Sequence, residues 1–208
     1  MELKEIIKQI ANVSKVEIKR VAPKECEEIK GLILKSTPDD LYEKMVVGYL
    51  TSICAECMYP DTFHLQRNDL DYIGFELEKG IIETEIAGKM LGTCMKGGKI
   101  KVNKAGNETG SSMNGGEIIA DEIMGIGNTL KGKIIAGKVG NISKNQGAEI
   151  IINGVKYKRS LLDRLFGKIA ESYTNSTILY FLENLVLSLY VLYSHFFNEC
   201  TLHFNPSL

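Results

Sequence analysis

Two thiols one helical turn apart, Cys54 and Cys57 in the run Cys-Ala-Glu-Cys, are by type and spacing the residues of this 208-residue chain best suited to chemistry. Such a Cys-x-x-Cys pair holds a metal from one side or cycles as a redox dithiol. A closed zinc or iron–sulfur site needs four ligands. The nearest further candidates are His64, Cys26 and Cys94, and the chain has no second Cys-x-x-Cys. Ordinary buried thiols are the expectation, with no cofactor on this chain. The alternatives are a zinc or iron–sulfur half-site at Cys54 and Cys57, completed by other residues or another chain, and redox use of the pair. The five cysteines (Cys26, Cys54, Cys57, Cys94, Cys200) form an odd, irregular set, and Met1 leads into charged residues rather than an apolar signal core. A reduced, cytoplasmic protein is expected.

Other reactive groups do not converge. The pairs Asp39/Asp40, Asp69/Asp71 and Asp121/Glu122 are too close along the chain to close on one substrate, and they read as solvated surface. The three histidines, His64, His195 and His203, have no Gly-x-Ser-x-Gly partner, so no hydrolase is built from them, and no catalytic residue is assigned. Gly97-Gly98-Lys99 lacks the flanking pattern of a phosphate-binding loop. With 25 basic against 26 acidic side chains, a net charge of −1 supplies no field for a nucleic-acid backbone.

What the sequence does carry is a repeat. Seventeen of the 20 glycines fall between Gly74 and Gly154, and Ile82, Ile100, Ile118, Ile134 and Ile150 recur at spacings of 18, 18, 16 and 16. That period is too short for a helix pair and too long for a hairpin, and no 3.6-residue apolar stripe survives across it. It fits one coil of a parallel β-solenoid, in which Lys99–Val102 and Glu117–Ala120 are strands paired about 4.8 Å apart. The isoleucines then form an inward ladder that only stacked coils can bury. Gly88, Gly92, Gly97, Gly98, Gly106, Gly110, Gly115, Gly116 and Gly132 are read as the turn positions of those coils.

Laid out as Gly88-Lys-Met-Leu-Gly-Thr-Cys-Met-Lys-Gly-Gly-Lys-Ile100 and Gly106-Asn-Glu-Thr-Gly-Ser-Ser-Met-Asn-Gly-Gly-Glu-Ile118, two consecutive repeats resemble the Gly-x-Gly-x-Gly β-helix superfamily, Met95 and Met113 included. Its two families are the β-helical subunit of formylmethanofuran dehydrogenase, from methanogen C1 metabolism, and the C-terminal domain of the glutamate synthase large subunit. The likeness decays over residues 119–150. It implies a right-handed parallel β-helix without chemistry of its own, a rigid wall against which catalytic subunits of an oxidoreductase complex pack and which bounds their internal channels. The short, separate chain is more similar to the dehydrogenase subunit. A glutamate-synthase-type channel domain acting in trans is the alternative, and residues 1–69 align with neither family.

The flanks complete a mainly β, overall α+β chain: an α+β region 1–69, a solenoid of about five coils at 70–155, and a helical cap or contact segment at 156–208. In the first region Leu3, Ile6, Ile7 and Ile10 predict a short helix, and Lys15–Val21 alternates as a strand. Pro23 opens a helix, and Ser36-Thr-Pro-Asp-Asp40 caps a longer one that Pro60 ends. Residues 178–197 are apolar on nearly every side. Glu183, Asn184 and His195 favour their burial against the solenoid or a partner protein over a membrane span.

Overall fold

The isoleucines that recur along the sequence stand directly above one another. In the computed structural model, which describes residues 2–158, six parallel strands follow in chain order: β1 (Thr62–His64), β2 (Ile81–Ala87), β3 (Lys99–Ala105), β4 (Asn114–Ile126), β5 (Lys131–Ile142) and β6 (Glu149–Ile152). Their registers pair Phe63 with Ile82, then Ile82 with Ile100, Ile100 with Ile118, Ile118 with Ile134, and Ile134 with Ile150. All six are at most 1% exposed. Each such side chain contributes roughly 1.5–3 kcal/mol by leaving water, and none could do so in a lone coil. A short strand β7 (Val155–Lys156) folds back antiparallel on β6. The fold is thus a β-solenoid of about five turns with helices on its N-terminal side.

Two further ladders run through the interior. Ile73, Leu91 and Thr109 stack through amide bonds from Gly92 to Ile73 and from Gly110 to Leu91, both 2.8 Å. Leu77, Met95 and Met113 stack in the same way, so both repeat methionines are core residues. The Thr109 hydroxyl donates to the Gly106 carbonyl at 3.0 Å, which allows a polar residue in the ladder.

Between the ladders the chain makes two overlapping turns per coil, closed in the first by Phe75 N–H to Tyr72 O and Leu77 N–H to Gly74 O. Positive φ recurs at Tyr72, Gly74 and Glu76, at Met90, Gly92 and Cys94, and at Glu108, Gly110 and Ser112. Only the middle member of each trio is glycine. The side-chain-bearing members cost about 1 kcal/mol or more each. Tyr72, Glu76, Met90, Cys94 and Ser112 are held because their amides bond the next coil, as Met90 N–H does to Asn107 O at 2.9 Å.

The nine glycines read as turn positions divide into two groups. Gly92, Gly98, Gly110, Gly116 and Gly132 have positive φ, whereas Gly88, Gly97, Gly106 and Gly115 do not. The second group answers to stacking. A Cβ on Gly106 would sit 2.6 Å from the carbonyl oxygen of Gly88 one coil earlier. Close approach of backbones, rather than turning, excludes a side chain there.

Up to Met58 the described N-terminal region carries four helices and no strand: α1 (Leu3–Gln9), α2 (Lys15–Val21), α3 (Cys26–Lys35) and α4 (Leu41–Met58). The strand expected at Lys15–Val21 is therefore a helix. Val16 is 78% exposed, while Ile18 and Val21, three apart, are buried, so the apparent alternation was one step of a helical period. Ser14 caps its Glu17 amide. Pro23 lies in the loop before α3 rather than at its first turn. The capping expected for α4 is present, with Glu43 N–H donating to Asp40 Oδ1 at 2.8 Å and Pro60 just beyond the helix.

The helices and the solenoid form one compact unit through Tyr157, and β1 places the first coil ahead of residue 70. Several polar contacts fix the junction. The Ser52 hydroxyl donates to Phe75 O at 2.8 Å, and Gly74 N–H donates to Thr51 Oγ1 at 2.9 Å. Arg67 caps the C-terminus of α3 through Ile33 O at 2.9 Å and through Ser36 O, while forking onto Asp69 at 2.6 and 2.8 Å. That fork raises the guanidinium pKa and lowers the Asp69 carboxyl. The contact segment expected at 156–208 and the apolar run 178–197 lie outside the described residues from 159 onward. Among the described residues no helix is long and apolar enough to cross a membrane.

Candidate functional site

Strand pairing in register brings together residues far apart in sequence. His64, Glu83 and Lys101 occupy one outward position on β1, β2 and β3, and Ile119 and Ile135 extend the row. At the position two residues further along, Glu85, Asn103 and Asp121 face solvent from successive coils. These two rows bound an open groove of about 710 Å³, with Leu65, Gln66, Asn68, Val102 and Ala120 also in its lining.

Glu83 is the hub of this groove. One carboxylate oxygen accepts from Lys101 Nζ at 2.5 Å and the other faces His64 Nδ1 at 3.2 Å. The Lys101 hydrogen bond holds the Glu83 carboxyl below the usual carboxylate range, opposed by a small desolvation and helped by the Lys101 and His64 charges. His64 is about two-thirds exposed. Glu85 and Asp121 leave carboxylates on the groove beside this pair, so its surface offers both signs of charge on a fixed spacing. Such a surface is complementary to a polar face with the opposite pattern of charge.

Charge ladders flank the groove. Lys99 and Glu117 pair at 2.8 Å, Glu122 and Lys138 at 3.1 Å, and Glu149 and Lys156 at 3.1 Å. Each exposed pair contributes little to stability. A one-residue slip of a coil would set Lys99 opposite Gly116 or Ile118 and Glu122 opposite Gly137 or Val139, and so forfeit the Lys99–Glu117 and Glu122–Lys138 pairings.

The Cys-x-x-Cys pair is divided between two environments. Cys57 is joined to Cys26 in a disulfide linking the end of α4 to the start of α3, with Cα atoms 5.9 Å apart. Cys54, one turn earlier, is buried and its thiol donates to Cys26 O at 3.7 Å. Burial, followed by the Glu27 charge, pushes the Cys54 thiol up to about 12. The fully reduced set expected from the sequence is thus corrected at Cys26 and Cys57. The helices bring those two sulfurs together although 31 residues separate them. His64 lies in the groove beside Glu83 rather than with the cysteines. Cys94 is half-buried with its thiol raised by desolvation and by Glu76. No group of three or more histidine, cysteine or acidic residues suited to a metal ion occurs among the described residues.

Glu83 and Lys101 were not singled out by sequence, and Asp121 was read there only as solvated surface. The signal that finds them is the 18-residue period applied to outward positions. No protein-family model, curated protein or solved structure matches the chain.

Proposed function

We propose that this chain is a non-catalytic assembly subunit resembling the β-helical subunit of formylmethanofuran dehydrogenase, and that it packs against catalytic partner subunits of an oxidoreductase complex through the grooved face of the solenoid. The observation that carries the reading is the residue-by-residue equivalence of the coils at 88–100 and 106–118. Met90, Gly92, Cys94 and Gly98 match Glu108, Gly110, Ser112 and Gly116 in positive φ, and Ile100 pairs with Ile118. The repeat residues are thereby spent on shape, on turns and the inward ladder. Positions such as Glu83, Lys101 and Asp121 are left to vary outside.

A wall of this kind is rigid because every coil is hydrogen-bonded to its neighbours. Rigidity lowers the ordering cost of binding a large partner. Purification of the tagged chain from its native cell at low salt tests the role. The reading expects stoichiometric recovery of identified catalytic subunits of an oxidoreductase. A chain that elutes alone, or with flavin-containing glutamate synthase components, contradicts it, the latter in favour of a channel domain acting in trans.

A further inference from the structure

The Cys26–Cys57 disulfide opens onto a pocket of about 260 Å³. Buried Ile29 and Ile53 line it, and the exposed Lys19, Lys24 and Lys79 stand around it. Cys57 is exposed on this pocket, whereas Cys26 is half-buried as the first residue of α3, a helix of 10 residues. The two sulfurs are therefore inequivalent: one can be reached, and the other is the natural leaving group.

The charges around the disulfide favour an anionic visitor. Glu56, also in the pocket lining, is engaged by Lys15 Nζ at 2.5 Å, which offsets its charge. Glu27 and Glu28, on the first turn of α3, oppose an anion at Cys26. Glu27 is drawn toward Lys30 at 3.9 Å, and the unpaired amides of that helix start stabilise a thiolate. The lysines at the mouth remain as the net field. Cys54 does not compete as the internal attacking thiol, since its burial keeps it protonated near neutral pH.

We propose that this pocket is a thiol-exchange site at which a small anionic thiol attacks Cys57 and leaves it as a mixed disulfide. The incoming thiolate's electron pair forms the new sulfur–sulfur bond to Cys57 Sγ. The Cys26–Cys57 bond breaks, and its pair departs on Cys26 as a thiolate that takes a proton from solvent. One disulfide and one thiolate stand on each side, so no oxidant or reductant is consumed. The inference is independent of the assembly role.

The test uses the full chain, oxidised in air, with reduced glutathione as the anionic probe and cysteamine as a cationic one at equal thiolate concentration and low salt. Peptide mapping by mass spectrometry should place a single glutathione on Cys57, formed about tenfold faster than the cysteamine adduct. That preference should fall to near unity in a Lys19→Gln/Lys24→Gln/Lys79→Gln variant. Should the variant misfold, high salt on the unaltered chain gives the same readout. Glutathione found on Cys26, equal rates for the two thiols, a disulfide left intact, or Cys26 and Cys57 failing to pair in air would each overturn the proposal.

Discussion

Lys15 and Glu56 form an ion pair at the junction of helices and solenoid, with Nζ 2.5 Å from Oε1 and both side chains nearly buried at 11% and 8% exposure. The same ammonium donates to Glu76 O at 2.8 Å, and Glu78 N–H donates to Glu56 Oε1 at 3.1 Å. Two helices are thus tied to the turn that starts the first full coil. Removing one partner leaves the other charge buried and uncompensated. Lys15→Met should therefore cost about 3 kcal/mol in urea unfolding. Adding Glu56→Gln should cost less than the sum of the two single changes.

Gly92 combines both constraints on glycine. Its φ is +64°, and an added Cβ would lie 2.7 Å from Ile118 Cδ1 in the next coil. Gly92→Ala should destabilise by about 1–3 kcal/mol. Lys104→Ala, on the exposed face, should change the midpoint by less than about 0.5 kcal/mol. Equal effects of the two would place Gly92 outside the stack.

The solenoid was legible because its demands fall on residue type at fixed spacing: glycine where φ is positive or backbones touch, isoleucine at each inward step. The positive-φ positions at Met90, Cys94 and Ser112 were not, since hydrogen bonds to neighbouring coils hold them against intrinsic preference. Lys15–Val21 misled because a single alternation fits both periods over two residues. The groove needed the register, as His64, Glu83 and Lys101 lie 19 and 18 positions apart. The disulfide was hidden by the closer spacing of Cys54 to Cys57, although helix packing joins Cys57 to Cys26 instead.

Cys54 makes stability depend on alkaline pH. Its thiol rises from an ordinary 9.0 to about 12 on folding, so above pH 9 the unfolded chain loses a proton that the folded chain keeps. The contribution is complete below about pH 9 and is lost as pH climbs toward 12. Chemical denaturation across that window should show falling stability, with a shallower fall in Cys54→Ala. Tyr49, its hydroxyl raised by burial and by donation to Glu76 at 2.7 Å, adds to the fall in the most alkaline range in both proteins.

Charge reversal in the groove should separate binding from folding. Lys101→Glu removes an exposed pair and should cost less than about 1 kcal/mol of stability. If the proposed assembly role holds, it should weaken capture of a catalytic partner about tenfold at low salt, with a smaller effect at high salt. Unchanged affinity, measured by titration of the isolated partner, would move the docking face off this groove.

The register of the stack builds both the inward ladder and the groove, and a distance between spin labels tests it directly. His64 and Ile151 hold the same outward position on β1 and β6, five coil steps apart. With labels at these two sites on a Cys94→Ser/Cys200→Ser background, pulsed electron resonance should give one narrow distribution near 24 Å, from five steps of about 4.8 Å. A broad distribution, or a maximum beyond about 35 Å, would contradict stacking in register.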